Sequence, residues 1–191
     1  MTALYDLHPG YPDNRDAAPE PLRAVQAFVN TLDRENGIEG LAEPEALRQL
    51  LADFELADCR VGAGALAGAI EVRDALRGVF LERAGVSSLG PVAAARLAEA
   101  MDAARPGLSV EDGSVRLRPR AGGIDGALGE LLLRVHAASL DGSLRRLKAC
   151  RRDPCHWLFW DCSPPASGVW CSMSICGNRT KVQRFRAGAT A

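Results

Sequence analysis

Apolar residues recur every three or four positions over most of the first 140 residues, the spacing typical of helices that bury one face. Proline or glycine stands near most boundaries of these stretches, where such residues start or stop helices. We therefore predict five helices, followed by a short basic helix that runs to Lys148. The five cover residues 21–34, 43–54, 62–84, 92–104 and 124–140.

A strand pattern interrupts the helical one between the fourth and fifth helices. Apolar and polar residues alternate over residues 108–110 and 114–118, on either side of Asp112-Gly113, a pair typical of tight hairpin turns. The predicted fold is mainly α, with one small β-hairpin in a helical N-terminal domain. Residues 1–18, rich in proline, glycine, asparagine and aspartate, are predicted to form an extended arm.

The break at Asp141-Gly142-Ser143 predicts a domain boundary, with a helical domain over 1–141 and a small domain over 142–191. Four cysteines of the second domain form two pairs, Cys150/Cys155 and Cys171/Cys176. Two short loops that each supply two thiolates can surround one Zn²⁺ without a hydrophobic core of their own. The spacing therefore indicates a zinc site, and free or disulfide-paired thiols are the alternative.

Four other polar residues are weaker candidates. His156 could replace a cysteine as a metal ligand, although neighbouring side chains seldom converge on one ion. Cys59 and Cys162 have no partner in the sequence pattern. Asn30, the polar residue of an apolar helical stripe, could line a ligand cleft or be a buried amide with satisfied hydrogen bonds.

Composition and charge add a contrast between the two parts. The 191 residues are 47% apolar and 5% aromatic, which favours a core rich in alanine and leucine. Residues 1–140 carry 14 Lys/Arg against 21 Asp/Glu, whereas residues 141–191 carry 9 against 3. This split is typical of an acidic body with a basic nucleic-acid-binding module, but the two parts could equally attract each other.

The chain contains no apolar run long enough to cross a membrane, and its first residues do not resemble a signal peptide. We therefore expect a cytoplasmic protein without a membrane partner. A reducing compartment favours metal-bound thiolates over structural disulfides.

The cysteine segments resemble a known family. Residues 171–186, CSMSICGNRTKVQRFR, and residues 147–161, LKACRRDPCHWLFWD, are similar to the two halves of the CGNR zinc finger. Residues 28–31 and the leucine-rich stretch near 46–51 more weakly resemble the helical domain of bacterial stress-response transcription regulators. The resemblance implies that Cys150, Cys155, Cys171 and Cys176 bind Zn²⁺ and that DNA is a possible partner.

Residues 162–169, CSPPASGV, depart from that family, because a basic, polar run is usual there. The loop lacks groups that would bind phosphate, which argues against nucleic-acid contacts by this segment. A basic helix is predicted to follow it. Ser174 is the candidate cap for this helix, which would then begin at Ile175. We expect its apolar stripe, Val182 and Phe185, to pack. The candidate nucleic-acid-binding residues are Asn178, Arg179, Lys181, Arg184 and Arg186.

Arg179 has two interpretations: it could contact a phosphate or base edge, or it could bind carbonyl groups of the zinc loops. The resulting hypothesis is a zinc-binding transcription regulator whose finger binds nucleic acid. The alternative is a zinc-stabilised module that binds a protein partner or an unknown small ligand without binding DNA. No nucleophile elbow, phosphate loop or histidine-rich zinc triad is present, and four sulfur ligands leave no open position on the metal, so we do not expect an enzyme.

Overall fold

The computed structural model describes residues 17–188, so the predicted N-terminal arm lies almost entirely outside the described residues. The described part is mainly α, as predicted. Helices two to five lie within one or two residues of their predicted bounds. The α-helices of the described residues are α1 (Leu22–Val29), α2 (Pro44–Asp53), α3 (Ala63–Arg83), α4 (Pro91–Ala104), α5 (Gly123–Asp141) and α6 (Asn178–Gly188).

Three two-stranded antiparallel sheets accompany the helices within residues 17–188, where the sequence predicted one hairpin. The predicted hairpin, β3 with β4, is confirmed. Its turn residues Asp112 and Gly113 both have positive φ angles, of 49° and 73°, as a tight hairpin turn requires. The strands are β1 (Leu32–Asp33), β2 (Ile38–Glu39), β3 (Pro106–Glu111), β4 (Ser114–Pro119), β5 (Leu147–Ala149) and β6 (Leu158–Trp160).

The first helix is shorter than predicted, because it ends at Val29 rather than Arg34. Asn30 follows it and turns its side chain towards β6. The next residues form the hairpin of β1 with β2, and Gly37, with a φ of +67°, lies in the loop between these strands. The helical spacing of apolar residues in the sequence therefore continues beyond Val29, where the helix ends.

The predicted basic helix before Lys148 is also different in the structure. A single 3₁₀ turn covers Ser143–Arg146, and β5 follows it directly. In β5 Leu147 and Ala149 are buried while Lys148 between them is half-buried, the alternation expected of a strand.

The main hydrophobic core joins the helices to the first hairpin of the C-terminal segment. Helices α1, α3 and α5 contact one another, and α1 is buried over nearly its whole length. Leu147, Ala149 and Leu158 belong to the same cluster of buried side chains. The pair β5–β6 is thus anchored in the helical body. Within residues 17–188, no helix is both long and apolar enough to cross a membrane.

Candidate metal centre and the helix that follows it

Two loops bring the four paired cysteines together. The first connects β5 to β6 and carries Cys150 at its start and Cys155 near its end. Cys150 donates its N–H to the carbonyl of Trp157 at 2.9 Å, which extends the pairing of β5 with β6 and closes the loop. The second loop carries Cys171 and leads through Cys176 into α6.

The four thiols are buried, and all four sulfur atoms lie within 4.8 Å of one another. The Sγ atom of Cys171 lies 3.7 Å from that of Cys155 and 3.5 Å from that of Cys176. Disulfide sulfurs would be about 2.05 Å apart. Tetrahedral zinc with bonds of about 2.3 Å places its sulfurs about 3.8 Å apart. The cluster therefore has the size of a four-thiolate metal site, and its cysteines are not paired as disulfides.

Local structure explains how the second loop turns into α6. The hydroxyl of Ser172 accepts the N–H of Ile175 at 3.1 Å, so Ser172 is the capping residue and the prediction of Ser174 was wrong. One wide, π-type turn over Met173–Gly177 precedes α6. A Cβ atom on Gly177 would lie 2.5 Å from the Met173 sulfur, so a larger residue there would require the exposed Met173 side chain to move.

Arg152 supplies positive charge to the cysteine cluster. Its Nε atom donates to the Cys176 sulfur at 3.2 Å in a buried contact. Hydrogen bonds from Cys150, Cys155 and Cys171, and then from Arg152, hold the pKa of the Cys176 thiol below its ordinary value. A lowered pKa favours the thiolate, the form that binds metal.

Aromatic side chains surround the cluster. Trp157 and Phe159 are buried with the cysteines, and half-buried Trp170 packs against them. Trp160 instead packs on the main core of the helical body. An apolar shell of this kind limits the access of water to the sulfurs.

The weaker candidates lie outside the cysteine cluster. The Nδ1 atom of His156 lies 2.9 Å from the guanidinium of Arg34, so that nitrogen is already engaged. Cys162 is exposed and Cys59 is half-buried, and neither belongs to the cluster. The geometry of the cluster therefore uses only the two cysteine pairs.

Asn30 is a buried amide with its hydrogen bonds satisfied. Its Nδ2 atom donates to the carbonyl of Leu158 at 2.8 Å, and its Oδ1 atom accepts the N–H of Leu158 at 2.9 Å. Gln26, one turn earlier on α1, donates to the same carbonyl at 3.0 Å. These side chains complete the backbone hydrogen bonds of Leu158 in β6, as a neighbouring strand would.

A carboxylate of the body contacts the cysteine loops at a second point. Glu35, in the loop between β1 and β2, forms ion pairs with both Arg152 and Arg179. Sequence reasoning did not find this residue, because nothing local distinguishes it from other surface glutamates. The contact is neither of the two roles considered for Arg179, since its partner is a side chain of the body.

Comparison with protein families agrees with this architecture. The ABATE model, described as "Putative stress-induced transcription regulator", matches residues 22–145. The chain belongs to the ABATE family. The CGNR zinc finger model matches residues 146–188, which contain all four clustered cysteines. Both predicted resemblances are confirmed. A search of curated proteins found no match.

The last helix of this ABATE protein, α6, has no buried residue. Its main contacts are with the turn that precedes it. Val182 is 49% exposed and Phe185 78% exposed, so the prediction that they pack was wrong. The predicted nucleic-acid-binding residues Asn178, Arg179, Lys181, Arg184 and Arg186 all lie on this exposed helix.

The loop over residues 162–169, which departs from the usual CGNR sequence, is held in place by hydrogen bonds and an ion pair within the protein. The ammonium group of Lys148 lies 2.6 Å from Asp161 Oδ2 and donates to the carbonyl of Gly168 at 3.1 Å. Burial favours the neutral acid, but hydrogen bonds from Lys148, Ser163 and Gly168 outweigh it and hold the pKa of Asp161 well below its ordinary value. Lys148 therefore shapes this loop.

Proposed function

We propose that this ABATE-family protein is a zinc-binding transcription regulator of the cytoplasm whose C-terminal finger binds DNA through α6. The supporting observation is an exposed basic helix at the end of the metal-binding segment. No aspartate or glutamate follows Asp161 in the chain. Lys181 and Arg184 are exposed and have no ion-pair partner among residues 17–188. Their charges are available to phosphates.

Helix α6 has suitable dimensions for this role. Its 11 residues span about 16 Å, and an α-helix fits the major groove of duplex DNA. Because its apolar residues are exposed, it can approach a groove without first leaving a packed position.

The metal in this proposal is zinc, and its role is structural. Four thiolates in a closed tetrahedron are the donor set of structural zinc sites, and soft sulfur ligands disfavour magnesium and calcium. Cys150, Cys155, Cys171 and Cys176 would hold the ion. Bound zinc would supply the crosslink between the two cysteine loops. In this role Arg152 balances part of the negative charge of the sulfurs.

The DNA-binding proposal is tested by salt dependence. We expect the metal-loaded chain to bind a mixed-sequence duplex with an affinity that falls steeply as salt rises. The double variant Lys181→Gln/Arg184→Gln should lower the steepness of the log–log slope by about 2, since each phosphate contact contributes roughly 0.9. Fluorescence anisotropy at several salt concentrations measures both quantities.

The matched control is Arg60→Gln/Arg116→Gln, which removes two exposed arginines of the helical body. It should leave the salt slope unchanged. Equal slopes in all three proteins, or no salt-sensitive binding at low ionic strength, would reject α6 as the DNA-binding element.

The alternative, a zinc-stabilised interaction module without DNA binding, is favoured by one observation. Glu35 pairs with Arg179, the arginine of the CGNR motif, and thereby joins the finger to the body of its own chain. On this alternative the arginine positions the finger and contacts no phosphate.

The substitution Glu35→Gln separates the two functions. If α6 binds DNA, we expect affinity to rise by a factor of about 2 to 5, because a carboxylate no longer competes with phosphate for Arg179. If the finger is an interaction module, neither protein should bind duplex DNA. Glu43→Gln, at an exposed glutamate on the body, is the matched control and should leave DNA affinity unchanged.

A further inference from the structure

A cavity of about 320 Å³ lies where the helical body meets the C-terminal segment, apart from the cysteine cluster. It is bounded by the C-terminal end of α3, by residues 144–151 and by the loop 166–169. Its volume is at the lower end of the range of small-molecule pockets, roughly 300–1,000 Å³. Neither the proposed metal site nor the proposed DNA contacts on α6 use it.

The floor of this cavity is apolar. It is lined by Phe80, Leu144 and Leu147, which all belong to the buried core. Those three side chains are almost fully buried, so the apolar surface open to a ligand belongs to the half-buried walls, Ala84 and Val169. A ligand that covers these walls would remove apolar surface from water, which favours binding of a group that is itself apolar.

The rim is basic and lacks acidic residues. Arg83, Arg145 and Arg151 line it, and no aspartate or glutamate does. All three arginines are exposed, and none of their guanidinium groups forms an ion pair with a carboxylate of residues 17–188. The planar guanidinium group presents paired N–H donors that match a carboxylate or phosphate.

The fourth cation of the rim, Lys148, has a different role. Its ammonium group is already bonded to Asp161 and to the carbonyl of Gly168. It therefore holds the loop 166–169 as a wall of the cavity in the absence of any ligand. A pocket shaped in advance loses less free energy when it binds.

We propose that this pocket binds a small organic anion. Its phosphate or carboxylate group contacts Arg83, Arg145 and Arg151, and its apolar part covers Ala84 and Val169. The proposal does not depend on DNA binding by α6, because it concerns a different surface. A bound anion would contact the helical body and the loop that leads to Cys171 at the same time.

Phenyl phosphate is the probe. Inorganic phosphate and phenol, which each carry one of its two chemical groups, are the comparison ligands. Amide resonances of the full-length, metal-loaded chain are followed in a buffer free of phosphate and sulfate. We expect saturable shifts with phenyl phosphate, confined to the cavity walls. Inorganic phosphate or phenol alone should bind at least about tenfold more weakly, since each lacks one of the two contacts.

The double variant Arg145→Gln/Arg151→Gln should weaken phenyl phosphate binding by more than about tenfold, because two charge-assisted contacts are lost. Both side chains are exposed, so the amide spectrum of the unliganded variant should match that of the parent. Arg60→Gln/Arg116→Gln again serves as the control and should bind like the parent. A third variant, Arg83→Gln, tests the arginine that α3 of the helical body contributes to the rim.

Three results would overturn the proposal. The first is phenyl phosphate binding that is absent or equal in all variants. The second is inorganic phosphate that binds as tightly as phenyl phosphate, which would indicate an adventitious ion only. The third is a short DNA duplex that shifts the same amides when phenyl phosphate does not, which would assign the arginines to nucleic acid.

Discussion

Within the CGNR segment, the hairpin of β5 with β6 and the last helix, α6, differ sharply in how they contact the helical body. The hairpin of β5 with β6 places Leu147, Ala149 and Leu158 in the main core, and Leu158 receives hydrogen bonds from Asn30 and Gln26. Helix α6 has no buried residue, and Glu35 reaches only its first turn. The start of this segment of about forty residues is therefore packed into the helical body, whereas its last helix is exposed to solvent.

This difference changes how many of the basic residues in the C-terminal segment can be counted as available to a polyanion. Residues 141–191 carry nine Lys/Arg, but several of them are used inside the fold. Lys148 binds Asp161, Arg146 donates to the carbonyls of Asp161 and Ser163, and Arg152 binds Glu35. Total charge alone would overestimate the surface available to a polyanion.

The largest expected effect comes from Cys176→Ser, which removes one thiolate of the cluster. Structural zinc contributes an apparent binding free energy of about 10–16 kcal/mol in isolated fingers, so its loss should exceed any single truncation in the body. We expect metal content to fall to a small fraction of the parent's. Hydrogen exchange should become fast in α6 and in residues 171–177 and stay slow in β6.

Elemental analysis and amide exchange measure these two effects. Cys162→Ser is the control, because that exposed thiol lies outside the cluster, and it should leave both unchanged. If β6 loses protection together with α6, the two ends of the segment are not separable and the comparison fails.

A phenylalanine pair gives the next largest contrast. Phe28 is fully buried in α1, and Phe185 is 78% exposed on α6. Phe28→Ala should lower the free energy of unfolding by about 3–5 kcal/mol, through lost burial and the cavity left behind. Phe185→Ala should change it by less than about 0.5 kcal/mol.

Urea unfolding of the metal-loaded proteins measures both values. A cost for Phe185→Ala close to that for Phe28→Ala would mean that α6 is packed in solution. In that case the description of α6 as a free surface would be wrong.

An asparagine pair gives the smallest expected contrast. Asn30→Ala leaves the buried N–H of Leu158 without its partner and removes one of two amide donors to its carbonyl, so it should cost about 1–3 kcal/mol. Asn178→Ala removes an exposed bond to the carbonyl of Ser174 and should cost less than about 0.5 kcal/mol. The same urea experiment applies, and equal costs would contradict the role of Asn30 as the edge partner of β6.

Much of the fold was predictable because it depends on local signals. Helix α3 keeps its predicted extent despite Gly68 and Gly78, since its apolar positions recur throughout. The turn at Asp112-Gly113 formed as predicted because both positions tolerate positive φ. The clustering of the four cysteines followed from paired spacing and from the CGNR resemblance.

Three errors in prediction have a common origin. The end of α1 was misplaced because Asn30 bonds to Leu158, which is 128 residues away in the chain. Glu35 was missed because its partners, Arg152 and Arg179, are more than a hundred residues distant. Val182 and Phe185 were expected to pack because helical spacing does not indicate whether a second surface is present.

The sequence by itself determined the helical class, the turns and the two thiol pairs, because these depend on side chains close together in the chain. Only the tertiary structure decided which charges of the basic segment are consumed internally and which face solvent. It also decided that Asn30 and Glu35 join the body to the finger, and that Arg83 meets Arg145 and Arg151 around one cavity. Those contacts cross large distances in sequence, so no local pattern of residues encodes them.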